Sequence, residues 1–245
     1  DYLQQSERTA MDTIMDINND EVDAVDGVKL REGDIAVSSR SERSCFARSC
    51  LWSKSVDGHI YIAYTLSPEY TLLLSQSDEV DRRAIKHGMD QIERDTCVRF
   101  VPRTHQRDFL DIQPKTGCWS YLGSSGGRQI LSLQSPECVS SGVVSHQLMH
   151  ALGFVHEQSR ADRDKYVTIM WSKIWKDRVR NFEKFKMNNM DMPYDYGSIM
   201  HFGKFAYSED GDPTIVPKRS WNIKLGQRFG PSELDIMKIN KLYKC

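Results

Sequence analysis

The sequence contains no run of the roughly 20 apolar residues that a membrane-spanning helix requires. It also lacks a surplus of positive charge, because 33 basic residues stand against 34 acidic ones and the formal net charge is −1. Binding to a polyphosphate needs a sizeable basic surface, so nucleic acid is not an expected partner. The chain opens at Asp1 without a basic start followed by an apolar run, and we therefore expect that any secretory signal has been removed.

No Cys-x-x-Cys pair occurs, and no cysteine precedes Cys45. The six cysteines are widely spaced and even in number, which favours three disulfides over reduced thiols or a zinc cluster. They are Cys45, Cys50, Cys97, Cys118, Cys138 and Cys245. We therefore expect an oxidising compartment and a secreted, extracellular protein.

Residues 1–40 have a single aromatic side chain, Tyr2, and a net charge of −6, which leaves +5 on the rest of the chain. An acidic segment before a basic body suggests a segment that docks on its own chain, and the alternative is a disordered, solvated tail. Met11 and Ile14 belong to a nearly helical apolar pattern, which predicts a short helix. The small, polar and basic stretch that follows is typical of an exposed linker, with cleavage expected near Arg40 and Ser41.

The pattern from Cys45 onward predicts strands first and helices later. A helix is expected from Ser77, its N-cap, to Arg94, with an apolar face made of Val80, Ala84, Met89 and Ile92. Another helix begins at Ser140 or Ser141. Strands are expected over 58–66, 97–101, 108–112 and 129–133, and a final helix over 232–243.

The segment 146–156 carries the chemistry. On a helix, His146 and His150 point the same way because residues four apart differ by about 40° around the axis. Gly153 is placed to end that helix in the left-handed conformation, so that His156 can turn back toward the same ion. Three histidines with one open position are typical of a catalytic zinc, whereas the alternative is a set of satisfied core histidines.

This string resembles the metzincin motif H-E-x-x-H-x-x-G-x-x-H at every fixed position except the second. The later Ser-Ile-Met-His-Phe string resembles the methionine turn of the same proteases, in which Met200 would form a floor beneath the zinc. Glu157 after the third histidine, and the stretches 159–164 and 193–196, are similar to the astacins. The resemblance covers residues 45–245, and the extra pair Cys45 and Cys50 is similar to that of the six-cysteine astacins of fish, which include the hatching enzymes.

The resemblance implies an α+β fold. It consists of two lobes, a mixed twisted sheet with a long active-site helix above and an irregular, disulfide-bonded region below. The stretch 126–133 resembles the edge strand on which astacins align an extended peptide or protein substrate. The implied disulfides are Cys45–Cys50, Cys97–Cys245 and Cys118–Cys138.

The resemblance also implies a prosegment, residues 1–40, in front of a catalytic domain, residues 41–245. Asp34 follows Gly33 as in the motif by which astacin prosegments place an aspartate on the zinc; the alternative is a glycine turn with a solvated aspartate. An activating protease would release the prosegment, and the new terminus would fold toward Glu157.

Two residues depart from the family pattern. Gln147 stands where the mechanism needs a glutamate as general base, and an amide has no useful basicity. It is either an introduced substitution, which the intact prosegment favours, or the mark of a natural pseudoprotease that binds peptides without cutting them. Phe202 stands where astacins usually carry a tyrosine whose hydroxyl steadies the transition state. The sequence thus predicts a latent zinc endopeptidase with one zinc ion, and this chain is expected to be inactive.

Overall fold

The computed structural model describes residues 8–18, 27–37, 50–70, 76–185 and 191–245. The helices in these ranges are α1 (Ala10–Asn18), α2 (Gln76–Glu93), α3 (Ser141–Ala151) and α4 (Glu233–Tyr243). The strands are β1 (Leu30–Arg31), β2 (Ile35–Ala36), β3 (Ile60–Leu66), β4 (Val98–Pro102), β5 (Phe109–Gln113), β6 (Cys118–Tyr121), β7 (Arg128–Leu133), β8 (Val167–Ile169) and β9 (Ile215–Pro217).

Seven strands form one mixed sheet in the order β1-β2-β6-β7-β5-β3-β4. The pairs β3–β4, β3–β5 and β5–β7 are parallel, whereas β6–β7 is antiparallel. Helices α2 and α3 pack together, and a Cβ atom at Gly88 would lie 2.6 Å from the Cγ1 atom of Val144. This close approach places α3, which carries the first two histidines, in the apolar core.

The expectation that 126–133 forms the edge strand was wrong. Strand β7 lies between β5 and β6 and pairs with both of them. The outermost strand after Cys50 on that side is β6, which is too short for its pattern to be detected in the sequence. Strand β2, which precedes Arg40, adds to β6 in a parallel register that aligns Ile35 with Ser120.

The start of α2 also differs from the prediction. The helix begins at Gln76, so Ser77 lies inside it and is not the N-cap. Val80 is 61% exposed, while Ile85 and Ile92 are fully buried. The predicted apolar face is therefore confirmed at Met89 and Ile92, which are both fully buried, and wrong at Val80.

The described parts of segment 1–40 pack on the rest of the chain. Met11 and Ile14 of α1 are fully buried and join the main hydrophobic core, which α1 reaches beside α3. At its start, Thr9 and Asp12 exchange hydrogen bonds between side chain and backbone, which caps the helix. The predicted cleavage site at Arg40 and Ser41 lies outside the described residues.

Two disulfides link distant parts of the fold. Cys97 is bonded to Cys245 and Cys118 to Cys138, the pairing that the resemblance implies. Cys50 is also disulfide-bonded, while its expected partner Cys45 lies outside the described residues.

The region after Gly153 is mostly irregular, as the sequence predicts. It contains short 3₁₀ segments and the two-stranded sheet β8–β9, and it ends in α4. Ser232 and Asp235 form a capping box at the start of α4. The predicted α+β fold is confirmed. None of the helices among the described residues is long and apolar enough to cross a membrane.

Candidate metal centre

Helix α3 fixes the first two histidines. The Ser140 side chain accepts a hydrogen bond from the backbone N–H of Val143 and caps the helix, and residues 142–151 are all buried. One turn apart on this helix, the rings of His146 and His150 have centroids 4.8 Å apart. The helix backbone alone therefore brings these two imidazoles together.

The third histidine arrives through the turn that ends α3. Gly153 has a φ of +98°, and its N–H donates to the carbonyl of His150. The ring of His156 then lies 4.8 Å from that of His150 and 5.2 Å from that of His146, measured between centroids. The left-handed glycine is what reverses the chain toward the helix.

A carboxylate from the leading segment, residues 1–40, completes the group. The Oδ2 atom of Asp34 lies 2.8 Å from the Nε2 atom of His146 and 3.2 Å from that of His150. Its Oδ1 atom lies 3.3 Å from the Nε2 atom of His156. All four side chains are fully buried. One ligand atom from each residue lies within 4.8 Å of those of the others, which is the spacing of a metal-binding group.

The hydrogen bonds on the far side of each ring show that the group suits a cation. The Nδ1 atoms of His146 and His150 lie 2.9 and 2.8 Å from the backbone carbonyl oxygens of Ile199 and Phe154. A carbonyl only accepts, so each Nδ1 carries the proton and each Nε2 presents a lone pair to the centre. The Oδ1 atom of Asp34 accepts no hydrogen bond from the described residues. Lone pairs and a carboxylate that converge on one point repel each other unless a cation lies between them, so the residues fit a zinc ion.

The pKa values of His146 and Asp34 are set by the burial of these side chains and by the close approach of the histidines to Asp34. Burial lowers the pKa of His146, which favours the neutral imidazole that a metal ligand requires. Burial alone would raise the pKa of Asp34, but His150, His156 and His146 hold it well below its usual range. Asp34 is therefore a carboxylate at neutral pH.

Gln147 lies against the carboxylate of Asp34. Its Nε2 amide donates a hydrogen bond of 2.8 Å to the Oδ2 atom of Asp34, and its Oε1 atom is buried without a hydrogen-bond partner among the described residues. The Gln147 amide thus donates a hydrogen bond to Asp34 while Asp34 lies against the histidines.

The methionine turn contacts the histidines through the carbonyl of Ile199 and the ring of Phe202. The Met200 side chain is buried, and its carbonyl accepts a hydrogen bond from the N–H of Glu157. His201 is turned elsewhere, because its Nε2 atom lies 2.7 Å from the hydroxyl of Tyr194, and burial lowers its pKa to about 4. Phe202 is fully buried with its ring centroid 4.8 Å from that of His156.

Glu157 is already paired within the chain. Its Oε2 atom accepts from the ammonium of Lys238 at 2.6 Å, and its Oε1 atom accepts from the guanidinium of Arg160 at 3.0 Å and from the N–H of Asp195 at 2.8 Å. The sequence did not lead us to predict the pairing of Lys238 with Glu157. The signal that could have indicated it was a lysine among the apolar residues of the final helix.

Glu32 is a second residue without a predicted role. Its Oε2 atom lies 2.7 Å from the Nδ1 atom of His156, and its Oε1 atom accepts a hydrogen bond from Ser159. Glu32 and Asp34 therefore contact opposite sides of the same imidazole. The sequence signal for Glu32 was a second carboxylate two residues before Asp34. Only the turn at Gly33, which has a φ of +89°, brings both carboxylates to His156.

Two histidines four residues apart on a buried helix, a third after a glycine turn, and a methionine turn in contact with them define a metzincin-type metalloprotease site. Residues 61–244 match the family model described as Astacin, a peptidase family. The chain therefore belongs to the astacin family of zinc metalloproteases.

Relatives in fish and birds share most of this chain. It is 44% identical to high choriolytic enzyme 1 of Oryzias latipes, over 88% of this chain and 78% of that protein. It is 40% identical to low choriolytic enzyme of the same fish, over 89% and 79%. It is also 44% identical to an astacin-like metalloendopeptidase of Coturnix japonica, over 88% of this chain but only 51% of that relative.

A solved structure supports the same assignment. The structure of high choriolytic enzyme 1, described as a hatching enzyme zinc-protease from the medaka fish, superimposes with a TM-score of 0.76 at 44% identity. The match covers 82% of this chain and 98% of that one.

Proposed function

We propose that this chain is the latent form of a secreted zinc endopeptidase, with residues 1–40 as an inhibitory prosegment and residues 41–245 as the catalytic domain. The observation that carries the proposal is the position of Asp34, which lies against the Nε2 atoms of all three histidines. A carboxylate from the leading segment thereby fills the side of the group that a water molecule and a substrate must reach.

One zinc ion per chain would be held by His146, His150 and His156, with Asp34 as the fourth ligand in the latent form. When bound, zinc lowers the pKa of a coordinated water toward 7 and polarises a carbonyl group. The protein's part is to present three imidazoles, each held by a hydrogen-bond contact at its Nδ1 atom, and to exclude water until Asp34 leaves. Met200 supports the histidines from below without binding the metal.

Activation would require an activating protease that cuts near Arg40 and Ser41 and so removes Asp34 from the histidines. The new terminus would then turn toward Glu157. Because both carboxylate oxygens of Glu157 already accept hydrogen bonds, the terminus would have to share this residue with Lys238 and Arg160. Departure of the prosegment also frees β6, where an extended peptide can replace β2 by main-chain pairing.

Gln147 leaves the proposed reaction without a general base. A glutamate at this position would accept a proton from the attacking water and pass it to the leaving amine, whereas an amide does neither. The names of the fish relatives make egg-envelope protein one candidate substrate. Gln147 and Phe202 together favour the second candidate function, a zinc-containing pseudoprotease that binds peptides without cutting them.

The deciding experiment restores the base and removes the prosegment. We expect the Gln147→Glu chain without residues 1–40 to cleave peptides at least about 100-fold faster than the Gln147 chain of the same length. A zinc chelator should abolish this cleavage, and added zinc should restore it. Equal rates for the two chains would contradict the protease proposal and leave the peptide-binding function.

A further inference from the structure

Tyr207 has a backbone conformation that is rare for a bulky side chain. Its φ is +53°, in the left-handed region that aromatic residues seldom occupy. Neighbouring contacts hold it there, since its carbonyl accepts a hydrogen bond from the N–H of Trp175, and Ser208 forms a β-bridge with Ile174. Such strain persists only where the surroundings fix it, and it is frequent at functional sites.

The ring of Tyr207 is held on several sides. Its centroid lies 6.0 Å from that of Phe202 and 6.2 Å from that of Phe182, both in edge contacts. The guanidinium carbon of Arg178 lies 5.8 Å from the same centroid. Because the ring is fixed, the position of its hydroxyl is fixed as well.

That hydroxyl faces the segment that occupies the metal centre. A Cβ atom at Gly33 would lie 2.2 Å from the Tyr207 oxygen, so the hydroxyl lies directly against this glycine. The next residue along the chain is Asp34, which contacts the three histidines. Removal of the prosegment would therefore leave the Tyr207 hydroxyl facing the space beside the histidines.

Phe202, which lies beside Tyr207, carries no hydroxyl. Phe202 contacts the ring of His156 at the position where the family usually supplies a tyrosine, and it offers no donor. Burial raises the pKa of its neighbour Tyr207 above the ordinary value of a phenol, so the hydroxyl keeps its proton at neutral pH and can donate it in a hydrogen bond.

We propose that Tyr207 is a catalytic residue whose hydroxyl donates a hydrogen bond to the carbonyl oxygen of the scissile peptide as that oxygen becomes negative. It supplies the donor that Phe202 lacks. This role rests on the proposed peptidase function, because it assigns a group to the same reaction. A donor that acts mainly on the developing charge affects the transition state more than the bound substrate.

The test compares binding of two probes to the zinc-loaded Gln147 chain without residues 1–40. A phosphinic pseudopeptide mimics the negative tetrahedral state, and the matching uncleaved peptide mimics the substrate. We expect Tyr207→Phe to weaken phosphinate binding by roughly 10- to 100-fold and peptide binding by less than about threefold. The control is Tyr61→Phe, which removes a hydroxyl that contacts the exposed Asp57 and should change neither affinity. Calorimetry gives both dissociation constants.

A second variant separates chemistry from packing. Adding Phe202→Tyr to the Tyr207→Phe chain should recover most of the phosphinate affinity, since it returns a hydroxyl to the same side of the centre. Unchanged phosphinate binding in Tyr207→Phe would overturn the proposal, as would an equal loss for both probes.

Kinetics distinguish failure of this inference from failure of the proposed function. In the Gln147→Glu chain without residues 1–40, Tyr207→Phe should lower kcat by roughly 10- to 100-fold with little change in KM. An active parent with an unaffected Tyr207→Phe variant overturns only the role of Tyr207. An inactive parent overturns the peptidase function, while the phosphinate affinities still decide whether Tyr207 donates to a negative oxygen.

Discussion

Each histidine of the centre is oriented by a different part of the chain. His146 bonds to the carbonyl of Ile199 in the methionine turn, and His150 bonds to the carbonyl of Phe154 just after its own helix. His156 instead contacts the carboxylate of Glu32, which belongs to the leading segment. Because a hydrogen-bonded carboxylate raises the basicity of a ligand histidine, the proposed removal of the leading segment would change the contacts on both sides of His156.

At the scale of the residue, a substitution at Gly33 tests how the leading segment, residues 1–40, is held against the metal centre. Gly33→Ala should displace this segment, because the new methyl group would lie 2.2 Å from the Tyr207 hydroxyl. Gly27→Ala carries similar left-handed strain, with a φ of +77°, but its Cβ atom would have nothing within 4 Å. Strain of about 1–2 kcal/mol is therefore common to both variants, and only Gly33→Ala adds the collision.

The measurement is the rate at which a hydroxamate probe binds the zinc-loaded full chain. We expect Gly33→Ala to accelerate binding by at least about tenfold relative to Gly27→Ala, which is the factor for about 1.4 kcal/mol. Equal rates for the two variants would show that a collision with the Tyr207 hydroxyl does not displace the leading segment from the metal centre.

At the scale of the element, α1 is held by one buried face. Ile14 is fully buried, whereas Ile17 on the same helix is only partly buried against the core. The charges at its start are satisfied locally, since Asp12 bonds to the N–H of Thr9. Apolar contact therefore contributes to the attachment of α1 to the body, together with the two buried hydrogen bonds between Asn18 and the backbone of Cys118.

Replacing Ile14 by Ala should weaken that attachment by about 2–5 kcal/mol, the usual cost of emptying a buried isoleucine site. Amide hydrogen exchange in α1 should then accelerate by roughly 30-fold or more while the central strands stay protected. Ile17→Ala serves as the control and should have a clearly smaller effect. Protection of α1 that is unchanged in Ile14→Ala would contradict this account.

At the scale of the whole molecule, the disulfides close loops of very different length. The Cys97–Cys245 bond spans 148 residues and joins the chain just before β4 to the end of the chain beyond α4. The Cys118–Cys138 bond spans 20 residues. A longer loop restricts the unfolded chain more, so the first bond contributes more stability in the chain-entropy description.

Serine at both cysteines of a pair should lower the free energy of unfolding by about 5 kcal/mol for Cys97–Cys245 and about 3 kcal/mol for Cys118–Cys138. Denaturant titration of the two double variants against the parent measures both values. A larger loss from the shorter loop would show that local packing, and not loop length, governs the contribution.

The sequence by itself determined the central chemistry of this protein. The spacing of His146, His150 and His156 around Gly153 is local information, because helical geometry and one left-handed residue fix it. The long alternating strand β3 and the capped helix α4 were also readable, since their patterns repeat over several residues.

Only the tertiary structure decided what depends on residues far apart in the chain. The position of β6 between β2 and β7, the pairing of Lys238 with Glu157 and the contact of Tyr207 with Gly33 all join segments that no local pattern connects. The same holds for Glu32, which reaches His156 across 124 positions. A sequence pattern reports which face of an element is apolar, but the partner of a buried charge or hydroxyl is set by how the elements pack.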